Sequence, residues 1–212
     1  MKRRRSPRSH GRSVSGRAGA LIRRLRQYHQ IAEVGEIARR YFAMNAFDGV
    51  LTAVGVLTGS FIGGVTDPRA VVSVVAATAV SIGVSGFYGS YLVERAERGR
   101  ALKDLEESTL CSLQDTEISA AARYATVVIA LVDGASPALA AVIIMLPFFF
   151  AGLIGVDMAY YVGWAIAFVE LFLLGMFLGH VSRTRLVVSG IKLTLAGGVA
   201  FGLSLLLNVA GI

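Results

Sequence analysis

The chain has 212 residues, of which 55% are hydrophobic and 17% are charged. Because soluble domains usually carry about 25% charged residues, this composition excludes an ordinary soluble globular protein. The formal net charge of +7 is concentrated at the start of the chain, where residues 1–32 hold ten of the 21 lysines and arginines and none of the 14 acids. The remainder is slightly acidic, with 11 basic and 14 acidic side chains.

Residues 1–30 are predicted to be a basic, disordered cytoplasmic tail, since "MKRRRSPRSHGRSVSGRAG" shows no apolar periodicity. We expect the tail to contact anionic lipid, with no specific nucleic-acid partner, or to act only as an anchor for topology. No secretory signal is evident, because no apolar core promptly follows the basic start. The next stretch, "ALIRRLRQYHQIAEVGEIARRYF", has the helical spacing of an amphipathic helix that leads to the membrane.

Residues 31–212 are predicted to form one membrane domain of the all-α class, because their apolar residues come in runs long enough to cross a bilayer. The polar segment 94–123 between the second and third runs is predicted to be cytoplasmic, acidic and helical, as a continuation of the second span followed by a short helix. The five expected spans lie near residues 41–65, 70–93, 124–155, 159–181 and 186–211.

The distribution of lysine and arginine predicts the orientation. The tail, the 94–123 segment and the turn with Arg183 and Arg185 are basic, whereas the opposite side has only Arg69. Five spans satisfy this pattern with the N-terminus in the cytoplasm and the C-terminus outside the cell membrane. The single cysteine, Cys111, excludes an internal disulfide and suits a reducing compartment.

Two segments of the chain are weakly similar. "FDGVLTAVGVLTGSFIGGVTD" and "VDGASPALAAVIIMLPFFFAGLIGVD" each begin with Asp-Gly and end at an aspartate in an outer turn. Both would start inside, which predicts two parallel-repeat hairpins plus a fifth helix, an arrangement that many transporters use. Chance similarity of apolar segments is the alternative.

Asp48 is the first candidate site residue. If it only capped a helix, the span Gly49–Val65 would cover roughly 25 Å, which is short of a hydrocarbon core of about 30 Å. A helix from Tyr41 instead places Asp48 inside the membrane, where a carboxylate usually faces a polar cavity or a partner. Such a group can exchange a proton for a cation. Asn45 and Met44 of the same stretch are assigned to the predicted path, although packing is the alternative for Met44.

Asp133 and Glu170 are further candidates for the path. Asp133 is the repeat counterpart of Asp48, but the run from Tyr124 to Val156 is too long for one straight span. The sequence "DGASP" therefore predicts a break, with Asp133 as an alternative helix cap. Glu170 is a mid-span acid, and Lys192 could pair with it or extend to the inner interface.

Clustered acids and small residues complete the candidates. Carboxylates on one side of the inner segment suit hard cations, although interleaved arginines allow a solvated, salt-bridged face. Small residues at every fourth position allow helices to approach closely within a bundle or across a dimer. The metal candidates are Asp48, Glu94, Glu97, Asp104 and Glu107, and the packing glycines are Gly55, Gly59, Gly63, Gly175 and Gly179.

These residues resemble the vacuolar iron transporter family of Fe²⁺/Mn²⁺ carriers. The likeness covers the chain from about residue 35 and rests on "NAFDGVLTAVGVLTG", on the second span running into "VERAERGRALKDLEES", and on the five-span count. It implies a homodimer with the path near the dimer interface, and exchange of cytosolic divalent metal for protons. By position, Asp48 matches the family's essential first-span aspartate. The second-span stretch "VSIGVSGFYGSY" departs from the family, with Ile82 near a methionine position and no glutamate.

The sequence thus predicts a proton-coupled exporter of Fe²⁺ or Mn²⁺, with the metal as transported substrate, no permanently bound cofactor and no enzymatic activity. A non-transporting membrane scaffold is the alternative. A membrane phosphotransferase of the CDP-alcohol type is a weaker one, because the first span lacks the Ala-Arg and the spaced aspartates of that class.

Overall fold

The computed structural model describes residues 14–209, with side chains from residue 23 to residue 206. Every regular element in this part of the chain is a helix, which confirms the all-α prediction. The helices are α1 (Val14–Ile31), α2 (Val34–Ile62), α3 (Pro68–Thr109), α4 (Glu117–Phe149), α5 (Ala151–Ile154), α6 (Val156–Val181) and α7 (Leu186–Val209).

Five of these helices, α2, α3, α4, α6 and α7, are long and apolar enough to cross a membrane. This number agrees with the sequence prediction and indicates a multi-pass membrane protein. The turn between α2 and α3 shows why α3 begins at Pro68. Asp67 accepts a hydrogen bond from the backbone N–H of Arg69 (3.0 Å), and Pro68 begins the helix, so α3 starts with a capped first turn.

The prediction of a disordered tail through residue 30 is wrong for α1, which is helical from Val14; residues 1–13 lie outside the described residues. The expected amphipathic helix is present, but it is not continuous with the first span. Glu33 adopts a left-handed backbone conformation (φ 49°) that separates α1 from α2.

The predicted break at "DGASP" is also wrong, and Asp133 is not a helix cap. Helix α4 starts after Thr116, whose hydroxyl accepts from the backbone N–H of Ser119, and it runs through Pro137 to Phe149. The hydroxyl of Ser136 donates to the Val132 carbonyl inside this stretch. Membrane helices tolerate proline where side chains and neighbouring helices satisfy the freed backbone groups.

Beyond the predicted second span, α3 continues without interruption to Thr109. The prediction of a helical continuation is therefore confirmed, whereas the separate short helix expected after it is the first turns of α4. With 42 residues, α3 is about 63 Å long at 1.5 Å per residue, roughly twice the thickness of a hydrocarbon core.

Helix α4 is the centre of the bundle and packs against α1, α2, α3 and α6, while α7 packs mainly along α6. The core is built from fully buried aliphatic side chains such as Val54, Leu57, Ile144 and Leu171. Near the end of α2, Phe61 and Trp164 pack edge-on at 5.2 Å between ring centroids. There the Tyr160 hydroxyl donates to the Val65 carbonyl at 2.9 Å and so connects α6 to the turn between α2 and α3.

The predicted packing glycines divide into two groups. A Cβ at Gly175 would lie 2.5 Å from the carbonyl oxygen of Ser189, and Gly179 meets the same serine, so both bring α6 close to α7. A Cβ at Gly55 or Gly59 would meet nothing within 4 Å, and one at Gly63 would meet only carbonyls of its own helix. These three therefore pack no helix within the protomer.

Candidate functional site

Asp133 is a buried acid in the middle of α4, with a residue exposure of 6%. It lies ten residues beyond Arg123 on α4, about 15 Å along the helix axis. The side-chain amide of Asn45 in α2 donates to Oδ1 of Asp133 and also to the carbonyl of Tyr41, the latter at 2.9 Å. An amide group has two N–H donors, so Asn45 serves both acceptors.

The backbone carbonyl of Asp133 adds a second oxygen to this site. In a helix it would accept from the N–H four residues on, but that residue is Pro137, which has no N–H. A Cβ placed on Gly86 of α3 would lie 3.4 Å from both the carbonyl oxygen and Oδ2 of Asp133. The carboxylate and the freed carbonyl therefore both face α3 at a position without a side chain.

Ser90 of α3 lies one turn from Gly86 and beside the Asp133 carboxylate. Its hydroxyl donates to the carbonyl of Gly86 at 2.7 Å. Because a hydroxyl hydrogen rotates freely, the same group can instead donate to Asp133. The site thus combines a carboxylate, a carbonyl and a hydroxyl from two helices.

Two direct backbone contacts hold the three helices around this site. A Cβ at Gly49 would lie 2.5 Å from Cα and from the carbonyl oxygen of Pro137, so α2 rests on the backbone of α4. A Cβ at Gly134 would lie 2.5 Å from the carbonyl oxygen of Gly83, so α3 does the same on its side. Each contact involves the glycine that follows one of the two candidate aspartates.

Asp48 lies in the middle of α2, which confirms that it is an intrahelical carboxylate and not a cap. Its side chain is exposed on the protomer, and its carbonyl accepts from the Thr52 hydroxyl at 2.8 Å. Thr52, one turn further, lines the crevice between α2 and α3 together with Thr78. Asp48 is close enough to Asp133 for the two charges to interact.

One turn beyond Ser90 on α3, Glu94 is buried and 5% exposed. It forms a salt bridge with Arg98 on the next turn, with 2.9 Å between Nε and Oε2. The hydroxyl of Tyr41 lies within electrostatic range of both Glu94 and Asp133. Polar groups thus follow one another along α3 from Arg98 to Asp133.

The other inner acids do not join this group. Glu97, Asp104 and Glu107 are exposed on the extension of α3, where Asp104 and Glu107 share a groove with basic side chains. Within residues 14–209, no three His, Cys, Asp or Glu side chains come together in a way that could hold a metal ion. Metal binding by the predicted set stays a prediction.

Glu170 and Met44 lie apart from Asp133. Glu170 lines a separate groove between α2, α4 and α6, and its two carboxylate oxygens are buried without a hydrogen-bond partner. Lys192 is exposed on α7. The salt bridge between Glu94 and Arg98 is the only one in the described part of the chain, so Glu170 and Lys192 do not form the suggested ion pair. Met44 is 59% exposed on the surface of α2.

Sequence reasoning missed Ser90, Gly86 and the role of Pro137 in freeing a carbonyl. Pro137 carried a readable signal, because a proline four residues after an acid leaves the carbonyl of that acid without its helical donor. Ser90 and Gly86 carried none, since no local pattern shows which face of α3 meets α4.

Comparison with known proteins gives one informative relative. An uncharacterized protein of Methanocaldococcus jannaschii is 31% identical to this chain over 169 residues, which cover 78% of the chain and 85% of the relative. No family model matches the chain. No solved structure matches it either.

Proposed function

The chain belongs to the same protein family as the uncharacterized Methanocaldococcus jannaschii protein, and we propose that it is a carrier of divalent metal ions. In this proposal it moves Fe²⁺ or Mn²⁺ out of the cytosol through the cell membrane in exchange for protons. The resemblance of "NAFDGVLTAVGVLTG" to the first span of vacuolar iron transporters supports the substrate class and the direction.

One observation carries the proposal: the carboxylate and the freed carbonyl of Asp133 lie side by side inside the membrane. Divalent cations such as Mn²⁺ are bound by carboxylate, carbonyl and hydroxyl oxygens, and all three types occur here. Transporters commonly coordinate cations with carbonyls released from helical hydrogen bonding. A carboxylate that binds a cation when ionised and a proton otherwise couples the two fluxes.

The proposed path runs from the cytoplasmic side past Glu94 and Tyr41 to Asp133 and Asp48. The positive-inside distribution supports a cytoplasmic N-terminus and an outer C-terminus. Glu97, Asp104 and Glu107 would concentrate the metal at the inner mouth by their charge.

We also propose that the carrier is a homodimer with its interface on α2. Asp48, Thr52, Gly55 and Gly59 follow one another at intervals of four, three and four residues and so share one helix face. Gly55 and Gly59 have no neighbour within 4 Å of a Cβ, which leaves room for a helix of a second copy. A second copy would bring a second Asp48 to the path.

The positions of the two Asp-Gly pairs support the proposed parallel repeat. Asp48-Gly49 and Asp133-Gly134 each place an aspartate in the middle of a helix and a glycine at a backbone contact with a neighbouring helix, α4 for Gly49 and α3 for Gly134. The hairpins α2–α3 and α4–α6 would then be two copies of one design.

Flux in proteoliposomes tests the function. Vesicles with a pH gradient and an enclosed metal-sensitive dye should take up Fe²⁺ or Mn²⁺ only while the gradient persists. Asp133→Asn and Asp48→Asn should each abolish this flux, because an amide neither ionises nor carries a proton.

The matched control is Asp157→Asn, since this aspartate is exposed at the outer start of α6, away from the site. It should leave the flux unchanged. Gradient-driven flux that survives Asp133→Asn and Asp48→Asn would rule out the mechanism.

A further inference from the structure

A second acidic site lies on α6, outside the proposed metal path. The carboxylate oxygens of Glu170 are both buried, and neither has a hydrogen-bond partner among the described residues. A buried carboxyl group without a partner is costly in a membrane, whether it is ionised or neutral. The missing hydrogen-bond partner of Glu170 would then come from a bound ligand.

Glu170 lies in an apolar groove of about 420 Å³ that is open towards the lipid. A volume of this size lies within the range of small-molecule sites, which is about 300–1,000 Å³. Exposed walls such as Leu139 (59%) and Leu173 (57%) make the groove accessible from the bilayer. Apart from Glu170, Ser136 is its only polar lining residue, and its hydroxyl already donates to Val132.

None of Asp133, Asn45 and Asp48 lines this groove. Asp133 faces α3 at Gly86, whereas the groove is enclosed by α2, α4 and α6. Glu170 therefore has its own environment, with a different shape and a different set of neighbours.

We propose that this groove binds a lipophilic amine. The amine reaches the groove from the lipid as the uncharged base. The Glu170 side chain then turns its buried carboxyl group into the groove, and the amine nitrogen takes the carboxyl proton. An N–H bond forms as the O–H bond breaks, which leaves an ammonium ion paired with a carboxylate. No net charge crosses the hydrocarbon, and the alkyl part of the amine fills the apolar walls.

The chemistry of the groove favours an amine over a metal ion. A divalent metal takes several oxygen ligands, and the groove offers one carboxylate and one serine hydroxyl. An ammonium N–H instead donates a charge-assisted hydrogen bond to a carboxylate that has no other donor. The eight other lining residues are apolar and suit an alkyl chain: Phe42, Ala46, Leu139, Ala140, Ile143, Leu173, Leu174 and Phe177.

Carbodiimide labelling of the full chain in lipid vesicles tests the proposal. Dicyclohexylcarbodiimide reacts with a carboxylic acid in an apolar site, where the acid oxygen bonds to the central carbon and the proton goes to nitrogen. Mass spectrometry should find the adduct on the peptide with Glu170, and Glu170→Gln should remove it. N,N-dimethyloctylamine at ten times its dissociation constant should slow the labelling about tenfold.

Two matched compounds separate the amine from its alkyl chain. Octanol, which cannot accept the proton in the same way, and octyltrimethylammonium, which has no N–H, should protect Glu170 less than twofold, on the order of experimental scatter. The variant Leu139→Trp should weaken both the labelling and the protection, because the indole fills the groove through which the carbodiimide and the amine both reach Glu170.

Absence of the label from Glu170, or equal protection by octanol or the quaternary ion, would overturn the proposal. Metal flux is a separate readout. Asp133→Asn, which should abolish the flux, should keep both the label and the amine protection at Glu170, so loss of the amine site and loss of the carrier function are distinguishable.

Discussion

Gly49 of α2 packs directly against the backbone of Pro137 in α4, with 2.5 Å between an ideal Cβ of the glycine and Cα of the proline. We therefore expect Gly49→Ala to destabilise the protein by about 1–3 kcal/mol, because the methyl group has to displace a helix backbone. Thermal unfolding in detergent measures this effect.

The control for this prediction is Gly99→Ala in the extension of α3, where a Cβ meets nothing within 4 Å and which lies outside the proposed dimer interface. Alanine has the higher helix propensity, so this variant should be unchanged or more stable by up to about 1 kcal/mol. Equal effects of the two substitutions would show that α2 and α4 do not meet at Gly49.

The salt bridge at the inner end of α3 gives a second prediction. Arg98→Ala should lower the stability by about 1.5–3 kcal/mol, because it leaves the buried carboxylate of Glu94 without its charged donor. Arg95→Ala, an exposed position on the same helix, should change it by less than about 0.5 kcal/mol. Unfolding of Glu94→Gln and of the double variant completes a mutant cycle, and a coupling energy near zero would contradict the pair.

The outer end of the bundle gives a third prediction. Tyr160→Phe should cost about 1 kcal/mol, because the Val65 carbonyl loses the hydroxyl that donates to it. Tyr161→Phe is the control, since that ring is 56% exposed. Trp164 is the only tryptophan and lies near both rings, at 6.1 and 5.9 Å, so its fluorescence reports unfolding of both variants. Similar midpoints for the two variants would argue against the hydrogen bond.

The single cysteine allows a direct test of orientation. Cys111 is exposed in the turn between α3 and α4, which the distribution of basic residues predicts to be cytoplasmic. A membrane-impermeant maleimide should label it in inverted vesicles and not in intact cells. In a Cys111→Ser background, Thr66→Cys in the opposite turn should show the reverse. Labelling of Cys111 in intact cells would invert the proposed topology.

The number of spans could be predicted because it depends only on the length and composition of apolar runs. The same reasoning placed Asp48 inside a helix, since the uncharged run begins well before it. The helix break expected at Pro137 was wrong, because the prediction considered only the local helix-breaking preference of proline and not the helices that pack around it. In the bundle, α2 and α3 press on either side of this stretch at Gly49 and Gly83, and the helix continues.

The site was less predictable, because its composition depends on which helix faces meet. Asp133 was a candidate from the repeat, yet its hydrogen bond with Asn45 joins two helices, and no local pattern shows which faces of those helices meet. The glycine spacing correctly predicted the close contact at Gly175, but Gly55 and Gly59 meet no helix of the chain, and the equally close approaches at Gly49 and Gly134 lie outside that spacing. Periodicity shows that one face of a helix carries small residues, but it does not show which neighbouring helix packs against that face.

Helix α3 runs from the turn after α2 past the site to Thr109 without a proline after its first residue. It forms a single continuous α-helix of about 63 Å. A change of tilt at the Thr109 end would therefore also move the segment that carries Gly83 and Gly86. Because this segment contacts α4 directly, the same tilt would change the spacing between α3 and Asp133.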